Sequence, residues 1–317
     1  MDVLDRVSRL ARLDRPCLVV GERGTGKELI AARLHYLSRR WDKPFVAINC
    51  AALSEDLLDS ELFGHEAGAF TGARDRRIGR FERADGGTLL LDEIATASSR
   101  VQEKILRVVE YGELERVGGG RTLRVDVRVV GATNVDLPAE VDAGRFRADL
   151  VDRLAFEVVT LPPLRARRED ILVLAQHFAV AMARELERPL FAGFTPEAED
   201  ALVAHAWPGN VRELKNTVER AVARAGADEP VNDVALDPFE SPHRLTRTKS
   251  SPMPTPERFS LHLTDKVAGY ERRLVAEALA AADGNGAAAA RALGLGYHKF
   301  RRLLAKHGLA QAARSAS

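Results

Sequence analysis

The chain has 317 residues, 45% hydrophobic and 29% charged, with a formal net charge of +1, and no apolar run approaches the roughly 18 residues of a membrane span. Charge runs through the opening Met1-Asp-Val-Leu-Asp-Arg6 and no apolar signal stretch follows, so membrane insertion and export are excluded and a cytoplasmic address is expected. Residues 258–317 hold ten Lys/Arg against four Asp/Glu, a balance of +6 that leaves −5 for 1–257, so the basic end is a candidate nucleic-acid binder if its pattern agrees.

From Pro16 to Thr160 short apolar runs alternate with amphipathic stretches: Cys17-Leu-Val-Val, a helix after Gly26, Phe45-Val-Ala-Ile, Thr88-Leu-Leu-Leu, a helix over 99–110, Val127-Arg-Val-Val-Gly-Ala and Phe156-Glu-Val-Val. Such alternation predicts a parallel α/β sheet over 1–164. Cys17 and Cys50 lie in these apolar contexts and are expected as buried thiols, without disulfide or metal. After Leu161-Pro-Pro-Leu the period changes, with Ile171, Leu174, Ala175, Phe178 and Met182 on one helical face, and predicts an all-helical unit over 165–237. Residues 238–258 carry five prolines among serines and basic residues and read as a linker. A last helical unit occupies 259–317, with no internal repeat.

Gly21-Glu22-Arg23-Gly24-Thr25-Gly26-Lys27 fits G-x-x-x-x-G-K between a predicted strand and helix, the context a phosphate-binding loop requires. Glycines turn successive N–H groups toward phosphates, the helix N-terminus adds its positive end, and Lys27 reaches the outer phosphate oxygens. The usual hydroxyl after the lysine is Glu28, so magnesium must be held by other groups. Gly87-Thr-Leu-Leu-Leu-Asp92-Glu93 is an apolar strand ending in two carboxylates, often only a solvated corner. Beside a phosphate loop, Asp92 is the expected magnesium ligand and Glu93 the residue that polarises an attacking water. Val129-Val-Gly-Ala-Thr133-Asn134 is a second strand ending in polar groups, with Asn134 placed to sense a γ-phosphate or simply to start a turn. Arg147 and Arg153 are candidates to complete a neighbouring subunit's site, although their spacing alone favours surface ion pairing. Arg212, in Trp207-Pro-Gly-Asn-Val-Arg-Glu-Leu, is expected to reach the nucleotide from the helical unit.

Together these segments resemble the AAA+ ATPases, which implies an α/β core, a helical lid, and ATP with magnesium as cofactors. Gly68-Ala69-Phe70-Thr71-Gly72-Ala73 narrows the resemblance to the bacterial activators of sigma-54 RNA polymerase, over residues 16 to about 225. Read physically, glycines at both ends of the hexapeptide make a mobile arm with a small apolar tip, the alternative being a buried turn. The resemblance implies that this arm contacts sigma-54 polymerase and that Arg116-Val-Gly-Gly119 forms a second loop supporting it. It also implies that Asn49 holds the catalytic Glu93 until the phosphate state changes, and that the active form is a hexamer.

At the basic end, Gly286–Leu293, a turn at Gly294-Leu-Gly296 and Tyr297–Lys306 have helix-turn-helix spacing, with a plain helical hairpin as the alternative. Phe300, Leu303 and Leu304 are expected inward, leaving Tyr297, His298, Lys299, Arg301 and Arg302 for double-stranded DNA at upstream enhancer sites. The segment resembles the Fis-type DNA-binding domain, whose helix from about Thr264 to Ala282 would pair two copies. About 15 residues precede the first strand, too few for a receiver domain. Among the sigma-54 activators the chain looks most like those of phage shock operons, which implies a separate inhibitor, phage shock protein A. Trp41, in a polar loop, is either its docking residue or a packed loop anchor. The resemblance further implies that the segment enclosing adenine is cut short, so that translation begins upstream or ATP binds weakly. Two other readings remain: a different AAA+ remodeller with a DNA anchor, and a DNA-binding repressor switched by nucleotide.

Overall fold

The computed structural model describes residues 3–239 and 263–309, within two compact units, Met1–Ser241 and Pro242–Ser317. The expected linker at 238–258 lies, from 240 onward, outside the described residues. Five parallel strands form the central sheet of the first unit in the order Phe45–Asn49, Thr88–Asp92, Arg128–Thr133, Cys17–Val20 and Val158–Thr160. The middle strands are apolar runs because both of their faces are covered: every residue of Arg128–Thr133 is buried. At Gly131 a Cβ would stand 2.7 Å from Leu18 Cδ2, so glycine lets the strand pack beside its neighbour.

Helices Val3–Leu10 and Lys27–Tyr36 cover one face through Val7, Leu10, Ala31 and Leu34. Helices Glu55–Phe63, Ser99–Tyr111 and Ala148–Leu154 cover the other through Leu58, Leu62, Ile105, Leu150 and Leu154. Arg128 is buried and donates to the carbonyls of Leu10, Ala11, Arg15 and Leu34, tying the end of the first helix to the sheet. Both cysteines are free and buried, as expected.

The helical part of this unit consists of Glu169–Glu185, Pro196–Ala204 and Asn210–Arg224 around a fully buried Trp207, whose Nε1 donates to Leu202 O. The predicted face of Glu169–Glu185 holds, but its deepest line is Ile171, Ala175, Ala179 and Ala183, with Leu174, Phe178 and Met182 half-buried beside it. Alanines every fourth residue let Asn210–Arg224 approach closely, which a pattern search for large apolar residues passes over.

The second unit packs Leu263–Ala281, Gly286–Ala292 and Tyr297–Lys306 around Val275, Leu279, Ala289, Ala290, Phe300 and Leu304. Asn285 caps the middle helix by accepting from the N–H groups of Ala287 and Ala288, and Gly294 turns the chain at φ 64°. Phe300 and Leu304 face inward as predicted, with Leu303 half-buried, while Tyr297, His298, Lys299, Arg301 and Arg302 are exposed. Among the described residues no helix is long and apolar enough to cross a membrane.

Candidate nucleotide site and output loops

The phosphate loop takes its shape from Gly24 and Gly26, at φ 76° and 97°, left-handed values that a side chain resists. Helix Lys27–Tyr36 starts at once, so its free N–H groups face the loop. Lys27 is buried; its Nζ donates to Gly21 O at 2.8 Å and Glu22 O at 3.1 Å. Burial pushes its ammonium below the usual lysine range, opposed by the charges of Asp92 and Glu93. Thr25 spends its hydroxyl on Glu22 O, 2.8 Å away.

A cleft of about 650 Å³ opens over the loop, walled by Arg23, Gly26, Lys27, Glu28, Asp92 and Glu93 from the sheet side and Phe178, Arg212 and Lys215 from the helical side. That volume suits a nucleotide. Arg212 lines the cleft from the helical side. Glu28 is exposed at the rim.

Parallel pairing sets Asn49 beside Asp92, and Asn49 Nδ2 donates to Asp92 Oδ2 at 3.2 Å, while its Oδ1 caps Ala51 N. In this structure Asn49 thus meets Asp92 and not Glu93: neighbouring strand ends meet in register, and the register delivers the preceding carboxylate. Glu93 sits just past the strand at φ 50°, its N–H bonded to Asp92 Oδ1. Its carboxylate meets Arg23 Nη2 at 3.3 Å and 3.4 Å.

Sequence reasoning missed the contacts that seat the helical part on the loop. Asn210, fully buried at φ 53°, donates to Glu22 Oε2 at 3.1 Å and Arg23 O at 3.0 Å and accepts from Leu164 N at 2.8 Å. Val211 N donates to Gly24 O, Arg167 donates to Thr25 O, and Arg165 pairs with Glu22. Glu22 thus turns its carboxylate to the helical unit rather than to the cleft. Arg165, then Asn210, hold its pKa down at about 2. The signal was present in Trp207-Pro-Gly-Asn210, a turn rich in residues that accept left-handed backbone.

Three predicted residues stand away from the cleft. Asn134 is exposed and opens on a separate cavity of about 580 Å³ shared with Val20, Gly21 and Leu161. The half-buried Arg147 pairs with Asp149 at 2.6 Å, and the exposed Arg153 with Glu110 at 2.7 Å. Within one chain these arginines make the surface pairs that their spacing favours.

The loop at Gly68–Ala73 closes on itself through Gly68 N to Ala73 O and Ala73 N to Phe70 O, with left-handed glycines at 68 and 72. Phe70 is 45% exposed and sets its ring edge on His65, centroids 5.0 Å apart, so it leans on the loop base rather than standing free. Arg116 is buried between Glu66 and Glu82, and Val117 pairs with the backbone of Gly64 and Glu66. Gly118 approaches Ala69 so closely that a Cβ there would lie 2.7 Å from the alanine Cβ. The 116–120 segment therefore braces the Phe70 loop. Trp41 is 64% exposed, which removes the packed-anchor alternative.

The family model described as the sigma-54 interaction domain matches residues 1–160, and the AAA+ ATPase lid domain matches 165–249. The Psp operon transcriptional activator of Escherichia coli is 58% identical over 311 residues, 97% of this chain and 95% of its own. The Nif-specific regulatory protein of Azotobacter vinelandii is 55% identical over 219 residues, 69% of this chain and 42% of its own. The crystal structure of NtrX from Brucella abortus in complex with ATP superposes with a TM-score of 0.68 at 33% identity, covering 96% of this chain and 67% of that one. With that match over half its length and a near-full-length relative, the chain belongs to the sigma-54-interacting AAA+ ATPases, nucleotide-hydrolysing activators of transcription.

Proposed function

We propose that the chain binds upstream double-stranded DNA and spends ATP hydrolysis on remodelling sigma-54 polymerase through the Gly68–Ala73 loop, at a phage shock operon. The observation that carries this reading is the bracing of that loop: Arg116 and Gly118 seat a second segment against it, within the same compact unit that bears Asp92 and Glu93. In the cleft, Lys27 and the loop N–H groups hold phosphates and Arg212 closes from the helical side. Asp92, with its carboxylate oriented by Asn49, fits an all-oxygen site for magnesium, which when bound neutralises phosphate charge. Glu93 accepts the proton of the attacking water. Arg147 and Arg153 exchange their surface partners for a neighbour's nucleotide in a hexamer.

Five exposed residues, Tyr297, His298, Lys299, Arg301 and Arg302, follow a tight turn on one helix, which supports contact with a DNA groove and its phosphates. The exposed Trp41 supports docking of a separate inhibitor such as phage shock protein A, and the whole cycle belongs in the cytoplasm. The test is transcription in vitro from a sigma-54 promoter carrying an upstream site. ATP should give open complexes, a nonhydrolysable analogue should not, and Thr71→Ala should hydrolyse ATP yet stay silent. Transcription retained by Thr71→Ala overturns the loop assignment.

A further inference from the structure

Gln102 is fully buried on helix Ser99–Tyr111, on the same helix as Val101 and Ile105 of the apolar core. A buried amide costs free energy unless its groups are paired, and Gln102 pairs all of them with backbone. Its Nε2 donates to Ala97 O at 2.7 Å and to Arg145 O at 3.1 Å, and its Oε1 accepts from Arg147 N at 2.9 Å. Two carbonyls at the nitrogen and an N–H at the oxygen fix which way the amide faces. Both segments joined in this way lead to groups already described. Ala97 closes the short turn Ile94–Thr96 that opens at Glu93, and its N–H donates to Ile94 O. Arg147 caps the start of helix Ala148–Leu154, and its guanidinium turns back along that helix to Asp149, with Nε to Oδ1 at 3.0 Å and Nη2 to Oδ2 at 2.6 Å. What a satisfied amide network adds to an apolar core is above all a fixed geometry.

We propose that Gln102 is a positioning residue for Arg147: it ties the start of helix Ala148–Leu154 to the turn after Glu93, so that the carboxylate side of one subunit sets the arginine it gives to the next. The inference rests on the reading of Arg147 as an arginine that completes a neighbour's site. On that reading the guanidinium leaves Asp149 and meets phosphate across an interface, and its backbone must hold still while it does so. A displacement of about 1 Å in a group that meets the reacting atoms can cost about 100-fold in rate. Asp149 cannot supply that fixed point, because its pair with Arg147 has to break. Gln102 bonds the backbone on both sides of Phe146, itself buried, and those bonds persist when the arginine side chain swings. The same side chain holds Ala97 O, so a shift of the Glu93 turn is carried through one amide to Arg147 N.

Hydrolysis by the full chain, alone and in mixed assemblies, tests this. Gln102→Met keeps the volume and loses all three bonds; it should lower kcat about 10-fold or more with ATP affinity within about threefold, and Gln102→Glu, which keeps the acceptor for Arg147 N, should recover part of the loss. In a head-to-tail ring each subunit gives its arginine to one neighbour and receives one from the other. Equal parts of Gln102→Met and Glu93→Gln then set a sound cleft against a sound arginine at about a quarter of the interfaces, so the mixture should hydrolyse about fivefold faster than the mean of the two variants alone. Arg147→Ala mixed with Glu93→Gln should show a gain of the same kind. Undiminished kcat in Gln102→Met, no gain in its mixture where Arg147→Ala does gain, or failure of both Gln102 variants to bind ATP would overturn the positioning role. Wild-type hydrolysis by Arg147→Ala, or no gain in its own mixture, would instead overturn the reading of Arg147, so the two ideas fail separately.

Discussion

Asn210→Ala removes the side chain that joins the helical part of the first unit to the phosphate loop. Asn210 is fully buried and bonds Leu164 N at 2.8 Å, Arg23 O at 3.0 Å and Glu22 Oε2 at 3.1 Å. Truncation strands the Leu164 N–H, costing about 2 kcal/mol, and loses the bond to Arg23 O, costing about 1. Alanine at φ 53° adds about 1 kcal/mol that asparagine largely avoids. The half-exposed Glu22 is left out of the sum, so the expected loss is about 4 kcal/mol. For a unit of this size that lowers Tm by roughly 8–16 °C. Urea and thermal unfolding measure it, with ATP titration alongside, since a loosened helical unit should also raise KM for ATP. Asn210→Gly separates the terms: it keeps the hydrogen-bond losses but escapes the backbone cost, and should be about 1 kcal/mol milder than alanine. A loss below about 1 kcal/mol for alanine, or glycine as costly as alanine, would refute the assignment of Asn210 as the joint.

Gly24→Ala should raise KM for ATP about 10-fold or more, because its Cβ would stand 2.2 Å from Gly209 O at φ 76°; an unchanged KM would refute this. Glu22, with its pKa held at about 2 against an ordinary 4.5, contributes stability that is complete above 4.5 and lost as pH falls through 2. Glu22→Gln should therefore be less stable than wild type near neutrality, with the gap closing between those two values; a pH-independent gap would contradict the pairing. Burial pushes the thiols of Cys17 and Cys50 up to about 11 and about 12, so alkylation at pH 8 should be at least about 100-fold slower than for a free thiol until the chain unfolds. Arg116→Ala, which removes the brace under the Phe70 loop, should keep hydrolysis within about twofold while sigma-54-dependent transcription falls about 10-fold or more; parallel losses would tie Arg116 to the cleft instead.

Local chemistry made much of this protein legible in one dimension. Gly24 and Gly26 announce a loop that needs left-handed backbone, the apolar run ending in Asp92-Glu93 announces a covered strand with carboxylates at its tip, and Phe300 with Leu304 fixes the inward side of the last helix. These follow from bond geometry and from the period of the apolar pattern, which a sequence carries in full. What it does not carry is register between strands and contacts between distant segments. Only pairing in the sheet decides that Asn49 meets Asp92 rather than Glu93, and only packing of the helical part turns Glu22 from the cleft toward Arg165 and Asn210. The same holds for Arg23 and Glu93, 70 positions apart, whose meeting depends on where two loops end in space.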